Sequence, residues 1–235
     1  MSGPPQFDFG NVEPRVEPTP RWIRVRAGDQ WIADSRNALL YVRYGPGTLP
    51  TYCFPDEAVN KVAVESLPDG AAHRFGGGDP AELEGHWTFA WDGRVRWFEE
   101  AEEIFVHARD PLHRVDAVAS ERHLIVEIDG VRLAESRRAH ALFETALPTR
   151  WYLPPEDVRQ DLLSPSDLKT QCPFKGAAKF FCYAEKDIAW TYDDPIAECP
   201  SIAGLIAFFN EAVDLTIDGE PQKRPFTPWS LAASG

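Results

Sequence analysis

The sequence has few of the residues that announce a chemistry at a distance. It contains a single methionine and four cysteines, Cys53, Cys172, Cys182 and Cys199, none of them in a C-x-x-C pair. Closely spaced thiols are what a structural zinc needs, so none is expected and no metal is assigned. Apolar stretches stop short of the roughly 18 to 20 residues that cross a bilayer as a helix, and no charged-then-apolar leader opens the chain. Neither G-x-x-x-x-G-K-[ST] nor G-x-S-x-G occurs, which removes the usual phosphate loop and the hydrolase nucleophile elbow. Cations are scarce as well: 24 Lys+Arg stand against 37 Asp+Glu, a formal net charge of -13. Such a chain repels a nucleic-acid backbone or an anionic membrane. The expected setting is therefore the reducing cytoplasm, with no nucleic-acid and no membrane partner.

What is present is core-forming material and proline. An apolar content of 43% with 8 Trp excludes wholesale disorder. Proline fixes φ and lacks a donor, so the segment holding Pro4, Pro5, Pro14, Pro18 and Pro20 reads as an arm laid over the surface or a tail. Regular structure is expected from Arg21-Trp22-Ile23-Arg24-Val25, which alternates, turns at Gly28-Asp29 and continues as Trp31-Ile32-Ala33. That is a hairpin signature.

The same pattern returns later in the chain. Val25 to Ala38 is echoed by Val126 to Ala139: strand, Gly/Asp turn, strand, then an acid before Ser-Arg, as Asp34-Ser35-Arg36 and Glu135-Ser136-Arg137. Leu49-Pro50-Thr51 answers Leu147-Pro148-Thr149, Glu57-Ala58-Val59 answers Glu156-Asp157-Val158, and Phe89-Ala90-Trp91 is set against Ile188-Ala189-Trp190. The reading is a tandem duplication: a proline-rich arm over 1–20, a first, diverged repeat over 21–117, a second repeat over 118–220 and a tail over 221–235. In the second repeat, strands are expected near 123–128, 131–135, 139–144, 177–184, 187–192 and 213–217, with a short helix after Pro154-Pro155 ending before Ser164-Pro165. Residues 202–209 fit helix or strand. In the first, strands are expected near 21–26, 31–34, 38–43, 86–91 and 94–98, and Phe75 to Pro80 reads as a flexible glycine-rich loop. Many short strands and little helix make the fold class mainly β, with antiparallel sheets.

The sharpest local feature is Cys172-Pro173-Phe174-Lys175-Gly176, in which proline and glycine constrain a turn and hold a lysine beside a thiol. Such a lysine suits a carboxylate or a phosphate, or acts as an amine nucleophile if its pKa falls. A strand-entry turn with a solvated lysine is the plainer alternative. Together with Ala134-Glu135-Ser136-Arg137, the run Leu147 to Val158 and Ile188-Ala189-Trp190-Thr191-Tyr192, this peptide resembles the domain-of-unknown-function family 427, which is sometimes filed as nucleotidyltransferase-like. The resemblance covers the second repeat nearly throughout and the first weakly. It implies a β-tent-like domain in each repeat, two small antiparallel sheets leaning together, and it supplies no established activity. The nucleotidyltransferase label finds acidic pairs at Glu99-Glu100, Glu102-Glu103 and Asp193-Asp194 but no phosphate loop.

The family pattern gathers Arg137, Glu144, Tyr152, Asp157, Lys175 and Trp190 on one face of the second repeat, with Cys172 beside them. An arginine, a glutamate and a lysine against aromatic walls make a pocket for a small polar or anionic molecule, although a surface ion-pair cluster would carry the same residues. Between the repeats, His107, Asp110, His113 and Asp116 offer a second constellation, with His107 favoured as the proton carrier. Two function classes follow. One is an enzyme without a bound cofactor that moves protons with Glu144, Asp157, Lys175 or His107 and holds its substrate with Arg137, Tyr152, Trp190 and Cys172. The other is a non-catalytic metabolite-binding or interaction module. The expected partner in either case is a small-molecule ligand. The oligomeric state is not legible in the sequence, and the first repeat, which has no C-P-x-K-G peptide, is expected to act as a scaffold or a lid.

Overall fold

The computed structural model describes residues 13–44, 48–227 and 230. The chain divides between Pro111 and Leu112 into two compact units, each mainly β and made of short antiparallel sheets.

The first unit carries β1 (Arg15–Pro18), β2 (Ile23–Ala27), β3 (Gln30–Ser35), β4 (Leu39–Val42), β5 (Thr51–Cys53), α1 (Lys61–Glu65), β6 (Ala72–Arg74), β7 (Trp87–Phe89), β8 (Arg96–Glu99) and β9 (Glu102–Ile104). Alternation in β2 buries Ile23 and Val25 completely and leaves Arg24 and Arg26 on the other face, as period-two geometry requires. One sheet runs β3-β2-β8-β9 and another β1-β4-β5, while β6 pairs with β7. An isolated bridge between Phe54 and Trp87 links β5 to β7. Phe54, Phe89, Trp91 and Trp97 fill the core between the sheets, with Trp91 stacked on Trp97 at 4.3 Å. The proline-rich arm is a strand where it is described. Residues 15–18 pair with β4 at the edge of a sheet, a position where the missing proline donor costs nothing. The earlier part of the arm lies outside the described residues. The glycine-rich loop is likewise framed by structure, since β6 and β7 bracket it, Phe75 is buried, and Gly76 N donates to Asp79 Oδ2 at 3.0 Å.

The second unit carries β10 (Val115–Ala119), β11 (Leu124–Ile128), β12 (Val131–Ser136), β13 (His140–Glu144), β14 (Arg150–Leu153), β15 (Ser164–Cys172), β16 (Gly176–Tyr183), β17 (Lys186–Thr191), β18 (Ile206–Phe208), β19 (Asp214–Ile217) and β20 (Glu220–Pro221). Asp129 and Gly130 both take positive φ in the β11–β12 turn, the conformation a tight two-residue hairpin demands. A seven-stranded sheet runs β10-β13-β14-β18-β17-β16-β15, and a four-stranded sheet runs β12-β11-β19-β20. Leu124, Val126, Leu133, Leu153 and Phe208 form the core between them. The expected helix after Pro154-Pro155 is two short 3-10 turns, Pro155–Asp157 and Gln160–Leu162. The chain cannot continue helically because Val158 is extended and bridges Ala134. Residues 200–208 resolve into a 3-10 turn followed by β18. The longest strand of the unit, β15, carries no apolar alternation because it is an exposed edge.

A buried ion pair ties β14 to the loop after β18. Arg150 donates to both oxygens of Glu211, at 2.6 and 2.7 Å, and Thr227 Oγ1 donates to Glu211 Oε1 at 2.5 Å. Removing one partner strands a charge in the core. Arg150→Met is expected to lower the unfolding free energy by about 3–5 kcal/mol in urea titrations. Arg150→Met with Glu211→Leu should recover most of that loss, and no recovery in the double variant would show that the cost is steric.

Candidate functional site

The C-P-F-K-G peptide is the turn between β15 and β16. Lys175 N donates to the Cys172 carbonyl at 3.3 Å, and Ile196 N donates to the Lys175 carbonyl at 3.1 Å. The turn is thereby sewn to the loop that follows β17. Gly176 sits at φ +106, and a Cβ there would meet Asp194 O and Ile196 N at 3.4 Å. Only glycine suits both the backbone angle and the close approach.

This seating drives the Lys175 side chain inward, and its ammonium pairs with Glu144 Oε2. The other carboxylate oxygen, Oε1, lies 3.1 Å from His113 Nε2. Glu144 closes β13 and is paired across the sheet with Val115, which brings His113, two residues earlier, to the same end. The His113 ring stacks on Phe174 at 4.3 Å, 24° from parallel, so the turn and the histidine hold each other. Burial opposes ionisation of Glu144, yet the His113 hydrogen bond and the Lys175 charge outweigh it and hold the carboxyl below its ordinary range.

Around this triad lie an aromatic wall and two thiols. Tyr152 is fully buried, and its hydroxyl accepts from Trp190 Nε1 at 3.0 Å. Burial pushes the Tyr152 phenol far above its usual range, and Glu144, Cys199 and Cys172 are near enough to add to the effect. Burial shifts Tyr192 the same way, with Tyr152 and the same neighbours adding to it. Burial raises the Cys172 thiol; Lys175 counteracts this and Glu144 reinforces it. A raised thiol is mostly protonated at neutral pH, so Cys172 is a poor nucleophile.

Glu144, Lys175, Cys172, Tyr152 and Trp190 thus share one neighbourhood. The remaining sequence candidates lie elsewhere. Asp157 accepts from Ser136 Oγ and Arg138 Nη2, each at 2.6 Å, and so clasps the end of β12 to a 3-10 turn. Burial disfavours its charge, but Arg138 and Ser136 prevail and lower its pKa. Arg137 is exposed beside Asp218. His107 belongs to the first unit, is buried, and has Nδ1 2.7 Å from the Ala108 carbonyl. Sequence reasoning weighed His113 behind His107 and passed over Phe174, Tyr192 and Cys199. The missing signal was β10, whose pairing with β13 is what delivers His113 to Glu144.

Among the described residues, no group of three or more His, Cys, Asp or Glu is arranged to hold a metal ion, and no helix is long and apolar enough to cross a membrane. A model of the family described as domain of unknown function (DUF427) matches residues 116–219. That span holds Glu144, Tyr152, Cys172, Lys175 and Trp190 and begins three residues after His113. No curated protein matches the chain.

Two expectations follow. The folded pKa of Glu144 lies below the unfolded value of about 4.3, so the unfolded chain takes up the proton first as pH falls. Stability from this carboxylate is fully present above about pH 5 and is lost as pH drops through the lowered folded value. Glu144→Gln should flatten that acid limb, read from urea midpoints between neutral and acidic pH. Gly176→Ala should cost roughly 1–2 kcal/mol through the positive φ alone and should release the Lys175 turn. Loss of amide-exchange protection at Lys175 and Ile196 would register that release.

Proposed function

We propose that the second unit is the functional half of the chain and that it carries out acid–base chemistry on a small polar or anionic substrate. The observation that supports this most directly is the carboxylate of Glu144, buried and shared between Lys175 and His113. A glutamate held below its usual pKa is a weak base at neutral pH, so its role is to orient its two neighbours. Lys175 is then the anchor for an anionic group on the substrate, and His113, fixed by Glu144 on one side and Phe174 on the other, is the proton carrier. Tyr152 and Trp190 build the wall behind them, and Cys172 fills it as an uncharged thiol.

We also read the two units as tandem copies of one β-tent-like domain, set in a reducing, cytoplasmic environment that suits four free thiols. Several pairings support the duplication. β2–β3 and β11–β12 share one burial pattern and one bulge position, after Val25 and after Val126. Val59 bridges Ala33 as Val158 bridges Ala134. The strand order β1-β4-β5, bridged to β7-β6, repeats as β10-β13-β14-β18-β17. In this register Phe89 answers Phe208, because β7 stands where β18 does, and the pairing of Trp91 with Trp190 suggested by sequence is replaced. Among the described residues, the hairpin β15–β16 has no counterpart in the first unit, and Arg43 stands at the place of Glu144. The copy with the hairpin is therefore the copy with the triad.

A second reading, a metabolite-binding or interaction module without catalysis, draws on the same triad: Lys175 and both oxygens of Glu144 already have partners within the chain. A panel of small carboxylates, phosphates and neutral polar compounds, screened on the intact chain by ligand-observed NMR for binding and by product formation for turnover, separates the two. Lys175→Met is expected to weaken binding at least tenfold, and His113→Gln to abolish turnover while binding persists. Binding with no turnover in the wild-type chain would favour the module, and binding indifferent to Lys175→Met would remove the site.

A further inference from the structure

The four-stranded sheet of the first unit turns an unusual face to solvent. Its inner face is apolar, and on its outer face Arg24 on β2 lies opposite Phe98 on β8, while Arg26 lies opposite Trp31 on β3. The Arg24 guanidinium sits 4.0 Å from the Trp22 ring centre and 4.5 Å from that of Trp31. Trp31 meets Phe98 edge to face at 5.2 Å. Arg36 covers Trp22 at 4.9 Å, and Arg96 lies 5.5 Å from the Phe98 ring centre. Trp31 nevertheless remains 37% exposed.

Nothing in the fold of one unit requires aromatic rings here. At the same register in the second unit, Thr216 replaces Phe98 opposite Ile125, and Arg132 replaces Trp31 opposite Glu127. His123 precedes β11 as Trp22 precedes β2. The second sheet forms the same pairings with Ile125, Thr216 and Arg132 at these places, so the rings of the first are surplus to folding.

We propose that this face is a self-association surface, packing against the same face of a second copy of the chain. Its composition is that of an interface: tryptophan, phenylalanine and arginine at the centre and charges at the rim. The rim decides the occupant. Arg26 pairs with Asp29 and Arg96 with Glu103, Trp22 Nε1 donates to Asp34 at 2.6 Å, and Trp22 N donates to Glu100 Oε1 at 2.8 Å. An acidic partner would face Asp29, Asp34 and Glu103, and a basic one would face the arginines. A patch that carries both signs in alternation is complementary to itself when rotated by a two-fold axis, which is the commonest arrangement of identical subunits. It is also a place where two chains of net charge -13 can approach without opposing like charge.

The test is the oligomeric state of the full chain across a dilution series, followed by sedimentation equilibrium and light scattering. The wild type is expected to be a dimer that dissociates on dilution. Trp31→Ser and Arg24→Glu, both at exposed or half-exposed positions that leave Ile23 and Val25 in the core, should each raise the dissociation constant at least tenfold with an unchanged circular dichroism spectrum. Arg132→Ala on the corresponding face of the second unit should leave the constant unaltered. A wild type that is monomeric throughout overturns the proposal, as does a dimer indifferent to Trp31→Ser and Arg24→Glu or one broken by Arg132→Ala. A monomer that instead captures a poly-glutamate peptide in a Trp31-dependent manner would also overturn it, in favour of an acidic partner.

Discussion

A carboxylate withdrawn from water among aromatic rings must find a cation or hydrogen-bond donors or take up a proton, and Glu144 is met by both Lys175 and His113. Much of the second unit is arranged around that requirement. Lys175 reaches Glu144 because Gly176 takes a positive φ that side chains rarely adopt, and the turn is held by the Lys175 carbonyl accepting from Ile196. His113 reaches it because β10 runs beside β13. One ion pair thus links the edge strand β10, the inner strand β13, the β15–β16 hairpin and the loop after β17. Loss of Lys175 would leave a buried carboxylate without its ion-pair partner, and loss of His113 would cost it a hydrogen bond.

The core hairpins were plain in the sequence, and the site only in part. Alternation at Ile23-Arg24-Val25 and at Leu124 to Ile128 marks half-buried strands with one apolar face, and the local pattern decides them. β15 was invisible for the converse reason: with no buried face, Ser164 to Cys172 has no periodicity to read, and Pro165 argues against a central strand, which it is not. Within the candidate site, Lys175 and Cys172 were legible because a proline and a glycine bracket the lysine, whereas Glu144 came only with the family resemblance. Asp157 and Arg137 were misleading because Ser-Arg followed by Arg138 is itself a structural motif. Ser136 and Arg138 both bind Asp157, so the acid that looks reactive is a clasp. His113 depended on a pairing between segments about 30 residues apart, and no local pattern encodes that.

On the proposed correspondence of the two units, one β framework accepts different loads. Both close their hairpins at a serine whose hydroxyl accepts from the backbone two residues on, Ser35 from Asn37 and Ser136 from Arg138. Beyond that framework the differences are concentrated. The second unit extends its sheet by β16 and β15 and places a cation in the interior. The first ends its sheet at β6 and places its cations on aromatic rings at the surface. Each departs from the framework where added residues leave the shared pairings untouched.

The charge balance takes its meaning from this partition. In a chain of net charge -13 an isolated surface cation is outnumbered, and its interactions with distant acids are screened within about 10 Å at moderate salt. A cation acts specifically only where geometry fixes its neighbours. Lys175 has that geometry because it is buried against one carboxylate, and Arg24 has it because two indole rings confine its guanidinium. Arg137 has neither, which is why its place in the sequence motif did not translate into a place in the site. What matters is therefore the surroundings that each cation is given, more than the number of cations in the chain.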